Sequence, residues 1–252
     1  LIASRAGVLP TDDTTSALMV NGNEAITSTN HLYFNAATEY INSANSGYLD
    51  LHSTNDTRVY TGANKTLELQ TAVYEDVQFP VSSAKVPAAN YPAWETFTTN
   101  TNEYSFAVND YIDTPASEVP HQWVEGTAGD VHLHITLKGA QNTGSNKYAK
   151  FSIQFALSDH TQAGTKVWTE PTALTAELTI PTGTAALTGM YLDIGDLTLT
   201  GYKIGTQIKA RIKRIASTGG GGTNEYSGSI FITQLGVHMQ RNTLGSRQET
   251  VK

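Results

Sequence analysis

Four segments of the chain alternate apolar and polar residues with a period of two, and no segment carries an apolar stripe at helical spacing. Val131, Leu133, Ile135 and Leu137 alternate with His132, His134 and Thr136, and Phe151, Ile153, Phe155 and Leu157 alternate with Ser152, Gln154 and Ala156. Leu174, Ala176, Leu178 and Ile180 follow the same rule, as do Ile208, Ala210 and Ile212 against Lys209, Arg211 and Lys213. A pleated strand sends successive side chains to opposite sides, so each segment has one face for a core and one for water. Ser229 to Met239 is apolar on both faces, as a central strand would be. Adding Val73–Phe79, Tyr104–Val108 and Tyr191–Thr200 gives about eight strands, which predicts an antiparallel β-sandwich of jelly-roll type over residues 73–252. Gly219-Gly220-Gly221-Gly222 reads as a flexible connection, because no helix follows to make it a phosphate cradle.

Ahead of this head the signal changes. Residues 1–30 hold turn formers such as Asn21-Gly22-Asn23 and read as an extended arm. From 31 to 72, short apolar pieces recur at even spacing: Leu32-Tyr33-Phe34, Tyr40-Ile41, Tyr48-Leu49-Asp50-Leu51, Arg58-Val59-Tyr60 and Leu67-Glu68-Leu69. Each piece offers too little apolar surface to offset an ordering cost of roughly 1–2 kcal/mol per residue. Two solutions exist: an interwoven stalk of three chains, which we favour, or packing on the following domain of the same chain. Prolines at 80, 87 and 92 make residues 80–96 a linker or an edge-covering segment.

Composition narrows the function. Among 252 residues there are 36 Thr and 21 Gly but only 15% charged residues, a balance that favours half-exposed strands over disorder. A net charge of −7 argues against nucleic acid, and zero Cys removes disulfides, thiolate metal sites and a cysteine nucleophile. The longest apolar run near the start, Ala17-Leu18-Met19-Val20, is too short for a signal peptide or a membrane span.

The sharpest chemical motif is His132-Leu133-His134, two imidazoles on one strand face. Gly126 followed by five residues and His-x-His resembles the start of the cupin metal motif. Where that motif continues to a Glu, this chain has Lys138 and Gly139, and His238 lacks the glycine and proline expected before a later ligand. Alternatively, a His-x-His strand at a threefold axis would gather six nitrogens around an octahedral divalent metal. The preferred reading has both histidines partly exposed on a solvent face, with no metal and no cofactor. Asp159-His160 beside Ser158 lacks a strained elbow to present a nucleophile, and the carboxylate pairs Glu75-Asp76 and Asp193/Asp196 read as turns or solvated surface. No enzyme is expected.

Lys209, Arg211 and Lys213 share a strand face, with Lys203 and Arg214 nearby. This row either meets an anionic polysaccharide or acidic partner, or pairs with carboxylates on an adjacent strand, which is the favoured alternative. Trp94, Trp123, Trp168 and Tyr226 are candidates for a sugar platform, although such residues equally pack core edges.

The run from Leu32 through Tyr60, then Tyr74-Glu75-Asp76-Val77-Gln78-Phe79-Pro80, His132-Leu133-His134 and Gly245-Ser246-Arg247-Gln248-Glu249, resembles fibre and appendage proteins of tailed bacteriophages. The resemblance implies a structural virion component: a homotrimer with a stalk and a β-sandwich head, docked on other virion proteins through its arm. It implies contact with a host surface glycan, and no membrane insertion. The expected function is thus a fibre, spike or capsid-decorating subunit. A secreted carbohydrate-binding module and a cupin-like metal-binding protein are the alternatives.

Overall fold

The computed structural model describes residues 18–20, 24–26, 40–42, 50–52, 68–159 and 165–246, with side chains from residue 71 onward. The chain divides into two units, 1–60 and 61–252. In the first, β1 (Leu18–Val20) pairs antiparallel with β2 (Glu24–Ile26), and β3 (Tyr40–Asn42) with β4 (Asp50–His52). The expected pieces around Leu32–Phe34 and Arg58–Tyr60 lie outside the described residues.

The second unit is an antiparallel β-sandwich. Its strands are β5 (Glu68–Pro80), β6 (Ala93–Thr98), β7 (Thr101–Phe106), β8 (Tyr111–Asp113), β9 (Ser117–Glu118), β10 (Gly129–Leu137), β11 (Lys147–Ser158), β12 (Leu174–Ile180), β13 (Gly189–Leu197), β14 (Gln207–Ile215) and β15 (Ile230–Thr243). One sheet runs β13-β10-β15, after which β15 is flanked by β5 along most of its length and by the β7-β6 hairpin at its start. The other runs β12-β11-β14, with β8 and β9 side by side on β14. Sequentially distant strands thus interleave across two sheets, the order of a jelly roll.

The alternating segments face as the pattern requires. Val131, Leu133, Ile135, Leu137, Phe151, Ile153, Phe155, Leu157, Ile208 and Ile212 are all 2% exposed or less, and Leu235, Val237 and Met239 join them from β15. Each such side chain contributes roughly 1.5–3 kcal/mol on burial, so sheet-on-sheet packing dominates stability. Among the described residues, no helix is long and apolar enough to cross a membrane.

Two expectations need correction. The 80–96 segment is not all break, because Ala93–Thr98 forms β6. Its earlier part does cover an edge: Lys85 exchanges backbone hydrogen bonds with Asp113, and Tyr111 N–H donates to Asn90. The tetraglycine forms a largely exposed turn between β14 and β15. Gly220 and Gly221 have φ of +60° and +72°, and a Cβ on Gly219 would overlap the Tyr148 ring. Finally, Arg214 does not join the cationic row. It continues the inward face of β14 and is 1% exposed.

The burial of Arg214 is compensated at both terminal nitrogens, while its Nε is left without a hydrogen-bond partner. Its Nη1 donates to the carbonyls of Phe106 (2.9 Å) and Gly228 (2.6 Å), and its Nη2 donates to Glu225 Oε1 (3.0 Å) and the Tyr226 carbonyl. One guanidinium therefore ties β7 and β14 to the segment that enters β15. Removing one partner of a buried pair costs about 3–5 kcal/mol, since the remaining polar groups lose their bonds without regaining water. Arg214→Ala is expected to lower unfolding free energy by that amount in urea titration, whereas Lys213→Ala on the outer face stays within about 0.5 kcal/mol.

Candidate functional site

The outer face of the second sheet carries a hollow of about 230 Å³ lined by Asp113, Gln154, Glu170, Lys209, Arg211 and the β11–β14 backbone at Phe155, Ala156 and Ala210. Its origin is topological. β12 pairs with β11 only as far as Ile153↔Leu174, so residues 154–158 have no strand on that side. The chain from 165 to 171 fills the flank instead, anchored where Thr169 and Leu157 exchange N–H···O bonds of 2.8 Å. The floor is low because the outward residue between Gln154 and Ser158 is Ala156, opposite Lys209.

Register assembles the polar lining. Arg211 lies opposite Gln154 on β11 and opposite Asp113 on β8, so three adjacent strands put these side chains in one row. Arg211 Nε and Nη2 donate to the two Asp113 carboxylate oxygens at 2.7 and 2.9 Å. The guanidinium also lies 4.5 Å over the Tyr111 ring, and the Asp113 bonds raise its pKa above the usual arginine value. Gln154 Nε2 is committed to the Pro171 carbonyl at 2.6 Å, which leaves its amide oxygen as the free acceptor. Lys209 and Glu170 add one charge of each sign. The lining thus holds two carboxylates and two cations, a neutral set of oriented donors and acceptors.

Of the sequence candidates, Lys209 and Arg211 meet in this hollow, and Lys213 shares their face further along β14. Arg211 is paired across the strand with Asp113, and Lys203 is engaged elsewhere, with Glu125 at 3.1 Å. Trp168, 39% exposed, belongs to the flanking segment that also supplies Glu170, and Lys166 Nζ sits 5.2 Å over its ring. Trp94 is 50% exposed but stands on β6 against Tyr104, at the edge of the other sheet. Trp123 is no platform: it is 1% exposed, inside the core. Tyr226 is likewise buried, its hydroxyl donating to the Gly139 carbonyl at 2.6 Å. Ser158 is buried, Asp159 accepts from Thr206 Oγ1 at 2.6 Å, and His160 lies outside the described residues.

The histidine pair occupies the outer face of the first sheet, and its two members differ sharply. His134 is exposed, as the preferred reading requires, but His132 is 1% exposed. The cover comes from neighbours on three strands: Tyr191 stacks on His132 at 4.9 Å, His134 meets it edge-on at 5.1 Å, and His238 lies 4.5 Å away between ring centres. Room for the ring comes from Gly236, directly opposite on β15, where a Cβ would overlap the imidazole. Burial, then the adjacent His238, holds His132 below the ordinary imidazole pKa. One row along, Asp130, His238 and Asp76 lie abreast on β10, β15 and β5. His238 Nε2 is 2.7 Å from Asp76 Oδ1, and its Nδ1 is 3.8 Å from Asp130 Oδ2. The partners Asp76 and Tyr191 were not connected to the motif by sequence. The available signal was Gly236, a glycine two positions from His238 on the outward side of a central strand.

No family model matches the chain, and no curated protein matches it in sequence. Solved structures with partial likeness include a family GH115 4-O-methyl-α-glucuronidase with specificity for decorated arabinogalactans. It is 10% identical, with a TM-score of 0.29, over 74% of this chain and 19% of that one. The chain therefore spans about a fifth of the glucuronidase. Another is TmCBM61 in complex with β-1,4-galactotriose, 13% identical, with a TM-score of 0.23, over 68% of this chain and 90% of that one. Overlaps this partial say nothing of ligand or activity.

The Gly236–His132 fit is directly testable. Gly236→Ala is expected to destabilise the sandwich by about 1–3 kcal/mol through overpacking. In a His132→Ala background the same change should cost little, and a double-mutant cycle in denaturant reads this coupling.

Proposed function

We propose that the chain is a glycan-binding β-sandwich protein that seats a sugar unit in the hollow on its second sheet. The observation that carries this reading is the Asp113–Arg211–Gln154 row beside Lys209 and Glu170: rigidly held, charge-balanced and open to solvent. A sugar presents hydroxyls that both donate and accept, and such a lining answers each of them without demanding a net charge. Stacking on Tyr111 and the bidentate Asp113 bond fix the Arg211 guanidinium before any ligand arrives, which lowers the ordering cost of binding. Trp168, on the segment that supplies Glu170, is 39% exposed and has Lys166 over its ring, so it stands near the hollow without lining it.

A second reading joins this one to the sequence resemblance: the sandwich is the head of a trimeric virion appendage, and its hollow meets a host surface glycan. What supports it is the size of the N-terminal strands. β3 and β4 are three residues each, and a lone hairpin of that length is marginal in water, so copies of the chain would complete its packing.

On an array of neutral and uronate-bearing oligosaccharides, the protein is expected to retain a defined subset. Gln154→Ala combined with Arg211→Ala should weaken that binding at least about tenfold, a change of about 1.4 kcal/mol. Retention of nothing, or of the same set equally by the variant, overturns the glycan reading. Light scattering of the full chain is expected to report three copies. A 27.1 kDa monomer would remove the appendage reading and leave the hollow as a monomeric binding site.

A further inference from the structure

The outer face of the first sheet carries a second constellation, independent of the glycan hollow. Asp76, His132 and His238 come from three adjacent strands, β5, β10 and β15, and each offers one ligand atom within 4.8 Å of the others. We propose that these three side chains bind a divalent transition-metal ion of the zinc class, which fastens β5 to the centre of the sheet.

Geometry supplies the first argument. An ion holding nitrogen and oxygen ligands at about 2.0–2.1 Å needs them about 3.4 Å apart in tetrahedral coordination. His238 Nε2 and Asp76 Oδ1 already stand 2.7 Å apart, so the site closes by small side-chain adjustments. Both of these residues are partly exposed, with side chains at 37% and 25%, and are free to make them. His132, by contrast, is fixed by stacking on Tyr191 and by the notch at Gly236. One rigid ligand and two adjustable ones describe a site that forms around an ion.

The second argument is an unmet need. His132 Nδ1 is buried and has no hydrogen-bond partner. A buried, unsatisfied polar atom costs about 1–3 kcal/mol, and orphaned atoms of this kind in otherwise well-paired structures call for a reason.

The donor set then selects the ion. Two imidazole nitrogens and one carboxylate suit zinc, iron(II), nickel or copper, whereas calcium and magnesium take oxygen ligands. Asp130 completes the arrangement from the other side, facing His238 Nδ1 at 3.8 Å. Histidines that ligate a metal through one nitrogen characteristically donate the other N–H to a carboxylate, which sets the tautomer and raises ligand basicity.

The test uses tag-free full-length protein stripped with chelator and titrated calorimetrically with zinc chloride. One ion per chain with a dissociation constant of about 10 µM or tighter is expected, together with a rise in melting temperature. Because His132 also packs against Tyr191 and Gly236, the informative variants are His238→Gln and Asp76→Asn at partly exposed positions. Each should weaken binding at least about tenfold while keeping the apo melting temperature within a few degrees. Cobalt(II) offers a second readout, with visible bands expected in the wild type and lost in His238→Gln. Absence of zinc binding by the wild type, or equal affinity in both variants, overturns the proposal. Glycan retention by the stripped protein should be unchanged, which separates failure of this site from failure of the hollow.

Discussion

Burial of one face of each strand is the constraint from which everything else in the sandwich follows. Because the side-chain period is two, sealing Val131, Leu133 and Ile135 into the core leaves no freedom in where His132 and His134 go. The same holds on β14, where burying Ile208, Ala210 and Ile212 fixes Lys209, Arg211 and Lys213 outward. A slip of one residue in either strand would place charges in the core, so the apolar face holds the register against large opposing costs. The outer rows, Asp113–Arg211–Gln154 on one sheet and Asp76–His238–Asp130 on the other, are consequences of that register. Neither row is selected by its own interactions, which are partly exposed polar contacts worth about 1 kcal/mol or less each.

What turns a row into a site is missing material. β12 stops short beside β11, and Ala156 leaves the floor low, so a hollow opens at Lys209 and Arg211. On the opposite face Gly236 lacks the Cβ that would exclude an imidazole, so His132 sinks into the sheet surface while His134, two residues on, stays in water. Arg214 shows the converse case, a charge on the inward face kept tolerable because three carbonyls from two segments converge on it. In all three places local absence or surplus of backbone, rather than the type of the central residue, decides its chemistry.

This explains which parts of the molecule were legible in the sequence. Alternation is a property of single strands, so the sandwich and the facing of β10, β11, β12 and β14 could be read directly. The short strands β8 and β9 have three and two residues and no period to detect. Partnership across strands is not written in any one strand. Asp76 and His132 are 56 positions apart in sequence, and only the pairing of β5 and β10 on either side of β15 brings them within ligand distance. Trp123 and Trp94 make the same point for aromatics, since identical residue types end up sealed in the core and half in water. Composition distinguishes neither, because burial of an aromatic is set by which side of a sheet it faces and what lies above it.

The two outer faces carry different physical demands. A glycan site works best when its side chains are held before the ligand arrives, and the Arg211 guanidinium is held by Asp113 and Tyr111. An ion site works when at least one ligand waits unsatisfied, and His132 waits with a buried nitrogen. β5 is the strand on which the second demand bears. It is the first described strand of its unit, and within the sandwich its strand partner is β15. Backbone bonds at an edge strand can peel one after another, whereas a shared ion at Asp76, His132 and His238 would make β5, β15 and β10 yield together. An ion there would tie three adjacent strands through their side chains as well as through their backbone ladders, a structural role that does not depend on catalysis.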